Sequence, residues 1–97
     1  MKGKEILKAY EKDIMEDPIE VVEKAVDIQL IVDPRDDTLM GFDICLGYGG
    51  PNIYWTYSRG VSQLEYYYLP EKEILSIATK YAERVLEYLS EIYEYNY

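Results

Sequence analysis

Four glutamates near the end of the chain, Glu83, Glu87, Glu91 and Glu94, recur at intervals of four, four and three residues. On an α-helix this spacing puts the four carboxylates in one row along one side. Like charges four residues apart cost a helix roughly 0.2–0.5 kcal/mol per pair, so the row works mildly against helix stability. The row is therefore either the solvated side of an amphipathic helix or an acidic surface that binds a basic partner.

A second group of acids lies in and beside the segment Pro34-Arg35-Asp36-Asp37-Thr38, whose residue types are typical of a turn. Asp33, Asp36 and Asp37 could offer oxygens to Ca²⁺ or Mg²⁺. They lack the spacing of a calcium-binding loop, however, and one loop supplies too few ligands. We therefore expect Asx-turn hydrogen bonds and no metal, and we add Asp36 and Asp37 to the candidate partner-binding residues.

The chain offers few residues suited to nucleophilic or acid–base catalysis. There is no histidine, and the one cysteine, Cys45, has the strand neighbour Asp43, which would raise a thiol pKa rather than lower it. Tyrosines and carboxylates could form an acid–base pair, but no spacing marks one. We predict no catalytic residue, no cofactor and no enzymatic activity.

The loop Tyr48-Gly49-Gly50-Pro51 raises the question of a ligand site. A phosphate-binding loop normally joins a strand to a helix, so that amides at the helix N-terminus face the anion. Here the loop joins two predicted strands and has no lysine nearby. We interpret it as a hairpin corner, in which glycine supplies a positive φ and Pro51 fixes the exit. A small-molecule site beside Tyr48 is the alternative.

The overall charge restricts the kind of partner. The 97 residues contain 19 acids and 10 bases, for a net charge of −9. This charge repels nucleic acid and anionic membranes, and it either keeps the protein soluble or favours a basic partner. No apolar run approaches the roughly 18 residues of a membrane span, and no signal peptide is recognisable. We expect a cytoplasmic protein with a single domain, residues 1–97.

Two helices are predicted at the N-terminus. Apolar side chains between residues 4 and 15 fall near one helical face: Ile6, Leu7, Tyr10, Ile14 and Met15. The pattern breaks at Asp17, which suits an N-cap, with Pro18 at the first helical position and Glu20 at the third. A second helix should therefore run from 18 to about 25.

A four-stranded antiparallel meander is predicted next, with strands at 26–32, 40–47, 52–58 and 61–69. If Arg59-Gly60 is a two-residue hairpin loop, the predicted pairs are Ser58–Val61, Trp55–Leu64 and Ile53–Tyr66. If Leu46 faces Ile53, the preceding pairs are Ile44–Trp55 and Phe42–Tyr57. Both assumptions gather the apolar side chains on one face, which supports the register.

The opposite face of the predicted sheet holds a different set of side chains: Asp43, Cys45, Tyr54, Thr56, Gln63, Glu65 and Tyr67. Tyrosine is enriched in protein interfaces, although its high strand propensity also explains part of the count of twelve. We expect any functional content of the sheet on this face, around Asp43, Cys45, Tyr54 and Thr56, with Tyr54 and Tyr67 as anchors of an interface.

A long C-terminal helix completes the prediction. Pro70 ends the sheet, and Glu71-Lys72-Glu73 offers acids that suit a helix N-terminus. The expected apolar stripe then steps by three or four: Ile74, Ala78, Tyr81, Val85, Leu89 and Ile92. The fold class is α+β: two N-terminal helices, a four-stranded antiparallel meander and one long C-terminal helix packed on one sheet face. The helices should cover the Trp55 face of the sheet and leave the other face more exposed.

The run GFDICLGYGGPNIYWTYSRG, residues 41–60, resembles a pattern of small proteins from phages and other mobile elements, through Gly41-Phe42-Asp43 and the stretch 47–52. The size, acidity and helix–sheet–helix order are similar to some phage anti-CRISPR and anti-restriction proteins. This resemblance implies an inhibitor that occupies the DNA-binding surface of a host nuclease, such as a CRISPR effector, by mimicking nucleic acid. It transfers no catalytic residue.

These observations lead to two hypotheses of different classes. The first is an acidic, non-enzymatic protein that binds and inhibits a basic host protein through the glutamate row, Asp36, Asp37 and the two sheet-face tyrosines. The second is a small homo-oligomeric interaction domain, in the simplest case a homodimer, that associates through its exposed sheet face or its C-terminal tyrosines.

Overall fold

The computed structural model describes the backbone of residues 2–96 and the side chains of residues 2–92. It confirms the α+β class, with two N-terminal helices, an antiparallel sheet and a C-terminal helix. The elements are, in order, α1 (Lys2–Glu16), α2 (Pro18–Glu23), β1 (Asp27–Val32), β2 (Leu39–Gly47), β3 (Asn52–Ser58), β4 (Val61–Tyr68), β5 (Glu71–Ser76) and α3 (Thr79–Asn96).

One residue, Asp17, separates α1 from α2. Its Oδ1 accepts a hydrogen bond from the Glu20 amide at 3.2 Å, and Pro18 begins the second helix. The predicted N-cap is thus confirmed, since a carboxylate here satisfies an amide that has no partner inside the helix. Leu7 and Ile14 are fully buried, as expected, whereas Met15 is exposed because it falls at the edge of the apolar face.

The sheet is a meander in the order β1-β2-β3-β4-β5, with antiparallel neighbours throughout. The β3–β4 pairs include Ser58–Val61 and Trp55–Leu64, which confirms the register set by the two-residue loop. Both loop residues have a positive φ, 53° at Arg59 and 78° at Gly60. This backbone geometry matches the right-handed twist of the two strands that it joins.

The predicted pairing of β2 with β3 is correct at Phe42 and Ile44 and wrong at Leu46. The register shifts between Cys45 and Gly47, so Gly47 rather than Leu46 lies opposite Ile53. Leu46 is the extra residue of this β-bulge. Its side chain is nevertheless buried. The bulge therefore keeps Leu46 in the core while the strand turns toward the glycine loop.

The four-strand prediction is wrong because residues 71–76 form a fifth strand instead of the first turns of the last helix. β5 pairs with β4 from Tyr68–Glu71 to Gln63–Ser76, and the peptide bond between Leu69 and Pro70 in the connecting loop is cis. α3 begins only at Thr79. Of the expected stripe, Ile74 accordingly lies in β5 and Ala78 precedes α3, and both are exposed. Ile92 lies in α3 as predicted and is also exposed.

The three helices pack on the Trp55 face of the sheet, as predicted. α1 lies over β4 and β5, α3 contacts β2 and β4, and α2 lies against β2 and α3. Trp55 is fully buried and meets the Phe42 ring nearly edge-on, with 5.2 Å between centroids. Its indole Nε1 donates a hydrogen bond to the buried Ser62 Oγ at 3.0 Å. The described side chains leave no buried polar atom without a partner.

Gly41 marks the tightest approach between two strands. A Cβ at this position would overlap the carbonyl oxygen of Tyr57 in β3. Because a backbone carbonyl held in a sheet cannot move aside as a flexible side chain can, only glycine fits here. Glycine is thus favoured at two positions in this region: at Gly41 by the close strand contact, and at Gly49 in the turn by its positive φ of 99°, as predicted for the hairpin corner.

Candidate functional site

One face of the sheet is not covered by any described element. We call it the open sheet face. It consists of the side chains that alternate with the core positions along the five strands: Asp27, Gln29, Ile31, Asp43, Cys45, Asn52, Tyr54, Thr56, Ser58, Val61, Gln63, Glu65, Tyr67, Lys72, Ile74 and Ser76. The prediction that the helices cover only the Trp55 face, leaving this face more exposed, is confirmed.

Glu65 is the centre of a hydrogen-bond network on the open sheet face. Its carboxylate accepts from Gln63 Nε2 at 2.7 Å and from the Tyr67 hydroxyl at 2.9 Å, and more weakly from Thr56 Oγ1 at 3.5 Å. Partial desolvation and the bond to Glu65 both raise the pKa of the Tyr67 hydroxyl. These three donors satisfy Glu65 from three sides and hold it in one position.

Tyr54 and Tyr67 form an aromatic pair beside this network. Their ring centroids are 6.0 Å apart and the planes are inclined by 61°, an edge-on arrangement that is favourable for two aromatic rings. On the outer side of the pair, the Lys72 ammonium lies 5.4 Å from the Tyr67 centroid. The structure thus brings together the two predicted anchors, and it places a cation over one of them.

A shallow groove of about 290 Å³ lies on the β1–β3 part of the open sheet face. Its lining residues are Asp27, Gln29, Asp43, Cys45 and Tyr54. Desolvation raises the pKa of the Asp43 carboxyl above its ordinary value, and the nearby carboxylates of Glu65 and Asp27 raise it further. The groove therefore carries a negative charge that its own surroundings do not neutralise.

Cys45 lies at the base of this groove and is buried. Its thiol donates a weak hydrogen bond to the Gly47 carbonyl, with Sγ 3.4 Å from the oxygen. No lysine or arginine lines the groove beside it. A thiol needs a nearby positive charge or base to become a good nucleophile, so the geometry gives Cys45 a packing role.

The glutamate row lies on the outer side of α3. Glu83, Glu87 and Glu91 are exposed, while Ala82, Val85, Leu89 and their neighbours face the sheet on the opposite side of the helix. None of the three forms an ion pair with any side chain in residues 2–92. The side chain of Glu94 lies outside the described residues. The described part of the row is thus a solvent-facing set of carboxylates without ion pairs, on a helix that also carries the exposed bases Lys80 and Arg84.

Asp36 and Asp37 occupy the turn between β1 and β2. Asp36 Oδ1 accepts from both the amide and the hydroxyl of Thr38, at 3.2 and 2.7 Å, as expected for an Asx-type turn. Asp37 has a positive φ of 63° and donates its amide to the Asp33 carbonyl. Arg35 hydrogen-bonds Asp33 and lowers the pKa of that carboxyl. Turn formation therefore accounts for much of this acidic segment.

The eight predicted partner-binding residues do not form one surface. Tyr54 and Tyr67 lie on the open sheet face, the glutamate row lies on α3 beyond the other face, and Asp36 and Asp37 lie in a loop between strands. A further acidic groove of about 210 Å³ lies where α1 meets α2, lined by Asp13, Glu16, Asp17, Glu20, Val21 and Lys24. Here the Lys24 ammonium partly neutralises the acids by bonding Glu20 at 2.7 Å.

The glycine loop is open to solvent. A Cβ added at Gly49 or Gly50 would meet no atom within 4 Å, and Tyr48 is 75% exposed. Neither acidic groove includes a residue of this loop. Elsewhere in the described residues, no three histidine, cysteine or acidic side chains are placed to hold a metal ion.

The sequence placed Asp43, Cys45, Tyr54 and Tyr67 together on one face of the sheet, as the structure has them, but two other residues on that face were not singled out. Glu65 and Lys72 were not singled out, the first because acids are common on exposed strands and the second because it was assigned to a helix. The alternation of β4 did place Glu65 beside Tyr67, and that pairing was the available signal.

Comparison of the chain with protein families, with curated proteins and with solved structures found no match. Among residues 2–96, none of the helices has the length and apolar character needed to cross a bilayer.

Proposed function

We propose that the protein is a non-catalytic inhibitor that binds a basic protein and occupies the surface by which that protein binds nucleic acid. The observation that carries this proposal is the glutamate row of α3. Its three described carboxylates are exposed, aligned and free of ion pairs within residues 2–92, in a chain with a net charge of −9. Unneutralised carboxylates in a row favour association with a basic surface and accelerate it.

The spacing of the glutamates on α3 limits how closely the row can reproduce the charge density of nucleic acid. Glu83, Glu87 and Glu91 are spaced about 6 Å apart along the helix axis, because successive members are four residues apart and each residue step adds about 1.5 Å. Duplex DNA carries one charge per roughly 1.7 Å of its axis. The row therefore has between a quarter and a third of the duplex charge density. The row would supply the charged part of the contact with a basic protein. The rest of that contact would depend on shape complementarity between the two proteins.

The test is to capture a partner protein and then measure whether nucleic acid displaces it. The immobilised protein is exposed to host lysate at about 50 mM salt, where unscreened charges act over distances beyond 10 Å. The proposal requires a basic protein that is captured and then released both by added duplex DNA and by raised salt. Reversing two charges of the row, Glu83→Lys with Glu87→Lys, should slow association by tenfold or more.

A matched control keeps the net charge equal. Glu5→Lys with Glu71→Lys makes the same change of four charge units at two exposed acids outside the row. This variant should retain most of the association rate. Equal losses in the two variants would mean that only net charge matters, and capture that DNA does not displace would contradict the proposed mode of inhibition.

A second function is favoured by the edge of the sheet. β1 has a neighbour on one side only, and Ile28 and Ile31 on this strand are 38% and 37% exposed. An exposed apolar edge strand can pair with the same strand of another copy, which would make the protein a homodimer. Light scattering over a hundredfold concentration range tests this. Dimers that Ile31→Lys dissociates would support it, and a monomer throughout would refute it.

A further inference from the structure

The open sheet face has an excess of negative charge at its centre. Asp27, Asp43 and Glu65 lie on β1, β2 and β4, and the nearest basic side chain on this face, Lys72, is on the edge strand β5. A sheet face that is uncovered on the outside and acidic in the middle is complementary to a cationic group on a partner.

The two central carboxylates differ in what they can still bind. Glu65 already accepts hydrogen bonds from Gln63, Tyr67 and Thr56. Asp43 receives none from any described residue, although it is half-buried and lines the groove. A desolvated carboxylate without donors binds a cation more favourably than one that is already satisfied, because the cation supplies the missing interactions.

The aromatic pair indicates the shape of the cation. Lys72 lies over the Tyr67 ring, on the side away from the groove, whereas no described cation lies over Tyr54. Tyr54 itself lines the groove with Asp43. A planar guanidinium can stack on a tyrosine ring and at the same time donate two hydrogen bonds to a carboxylate, which the compact ammonium of lysine cannot do.

We propose that the groove on the open sheet face binds an arginine side chain of the partner protein, with Asp43 as the carboxylate that accepts its hydrogen bonds and the Tyr54 ring as its stacking surface. Asp27 adds long-range attraction, and the Gln29 amide oxygen is available as a further acceptor. This inference rests on the proposed function in one respect, that the partner is basic. It names a surface on the opposite side of the sheet from α3.

A defined probe makes the inference testable without the partner. Fluorescein-labelled peptides of sequence Arg-Gly-Arg-Gly-Arg-Gly and Lys-Gly-Lys-Gly-Lys-Gly are titrated at about 50 mM salt, and binding is followed by anisotropy and by ¹H–¹⁵N NMR of the full chain. We expect the arginine peptide to bind at least threefold more tightly than the lysine peptide. Its shifts should centre on the amides around Asp43 and Tyr54.

Two variants and two controls assign the roles. Asp43→Asn and Tyr54→Leu should each weaken binding of the arginine peptide by about fivefold or more, whereas Tyr54→Phe, which keeps the ring, should stay within twofold. Glu5→Gln with Glu71→Gln, at exposed acids outside both the groove and the glutamate row, should also stay within twofold. Amide dispersion in the NMR spectra verifies that each variant is folded, and Asp43→Asn is nearly isosteric.

The outcomes separate this inference from the proposed function. Shifts centred on α3, equal affinity for the two peptides, no binding at all, or an unchanged affinity of Asp43→Asn would each overturn the arginine site. If the variant Glu83→Lys with Glu87→Lys no longer captures the partner but still binds the arginine peptide, both the proposed function and the arginine site are supported. If that variant still captures the partner and still binds the peptide, the arginine site is supported and the glutamate row is not part of the proposed function.

Discussion

Replacing Ser62 with alanine removes the hydrogen-bond acceptor of Trp55, the one tryptophan of the chain. The indole nitrogen lies 3.0 Å from Ser62 Oγ, and Trp55 is 0% exposed while Ser62 is 5% exposed. Water therefore cannot replace the lost acceptor. A buried donor left without a partner costs about 1–3 kcal/mol. Because the indole is completely buried, we expect the free energy of unfolding to fall by about 2 kcal/mol. For a chain of 97 residues this corresponds to a melting temperature lower by roughly 8–10 °C.

Urea unfolding followed by tryptophan fluorescence measures this change directly, because all emission comes from the site itself. The midpoint should fall by about 1 M urea at an unchanged slope. Ser76→Ala, at an exposed serine, is the matched control and should stay within about 0.5 kcal/mol of the parent.

A double-mutant cycle separates the hydrogen bond from the loss of one oxygen atom. In a Trp55→Phe background, followed by far-ultraviolet circular dichroism, Ser62→Ala should cost under about 0.5 kcal/mol because no donor remains. If the serine substitution costs the same in both backgrounds, or nothing in the parent, the hydrogen bond does not stabilise the core as we argue.

Three further changes test other parts of the structure, all by urea unfolding. Gly41→Ala should lower the free energy of unfolding by about 3 kcal/mol or more, because a Cβ would overlap the Tyr57 carbonyl. Gly50→Ala, in open space, should leave the free energy of unfolding unchanged or raise it by up to about 1 kcal/mol. Similar losses in the two variants would contradict the strand contact. Arg59→Asn should raise the free energy of unfolding by about 0.5–1 kcal/mol because asparagine tolerates the positive φ better, and a loss would contradict the turn assignment. The pKa of Asp43 is raised on folding, so its ionisation opposes folding above its unfolded pKa and has no effect below it. Asp43→Asn should therefore stabilise the protein at pH 7 and lose that advantage near pH 3; a gain that persists at pH 3 would contradict this.

Much of the fold could be predicted because local signals agreed with the global arrangement. The Asp17 cap, the Arg59-Gly60 turn and the alternation of β3 and β4 each set a boundary or a register independently of the rest. Consistency between the turn and the apolar face then fixed the pairs around Trp55.

The fifth strand was missed because its sequence is compatible with either structure. Residues 71–76 have three charges followed by Ile74 and Leu75, and two apolar neighbours establish neither a period of two nor one of 3.6. The acids after Pro70 also resemble a helix start. Pairing with β4 and packing against α1 decide the outcome, and these are contacts between residues far apart in the chain.

The candidate surfaces were harder to predict than the fold. Spacing along the sequence correctly placed Glu83, Glu87 and Glu91 on one exposed side of α3, because their alignment depends only on the helix. Which carboxylate of the open sheet face is satisfied depends on how the neighbouring side chains are oriented, and alternation along a strand gives the face but not that orientation. Glu65 accepts from Gln63 and Tyr67 on its own strand and more weakly from Thr56 on β3, while Asp43 accepts from no described residue.

The edge strand β1 also governs the colloidal behaviour of the protein. At neutral pH the net charge of −9 opposes the accumulation of further copies at this edge. Near the isoelectric point of about 4.4 that repulsion disappears, and the exposed apolar edge can serve as a template to which other strands add. We therefore expect mild acid to be the condition in which the sheet is most prone to grow into fibrils.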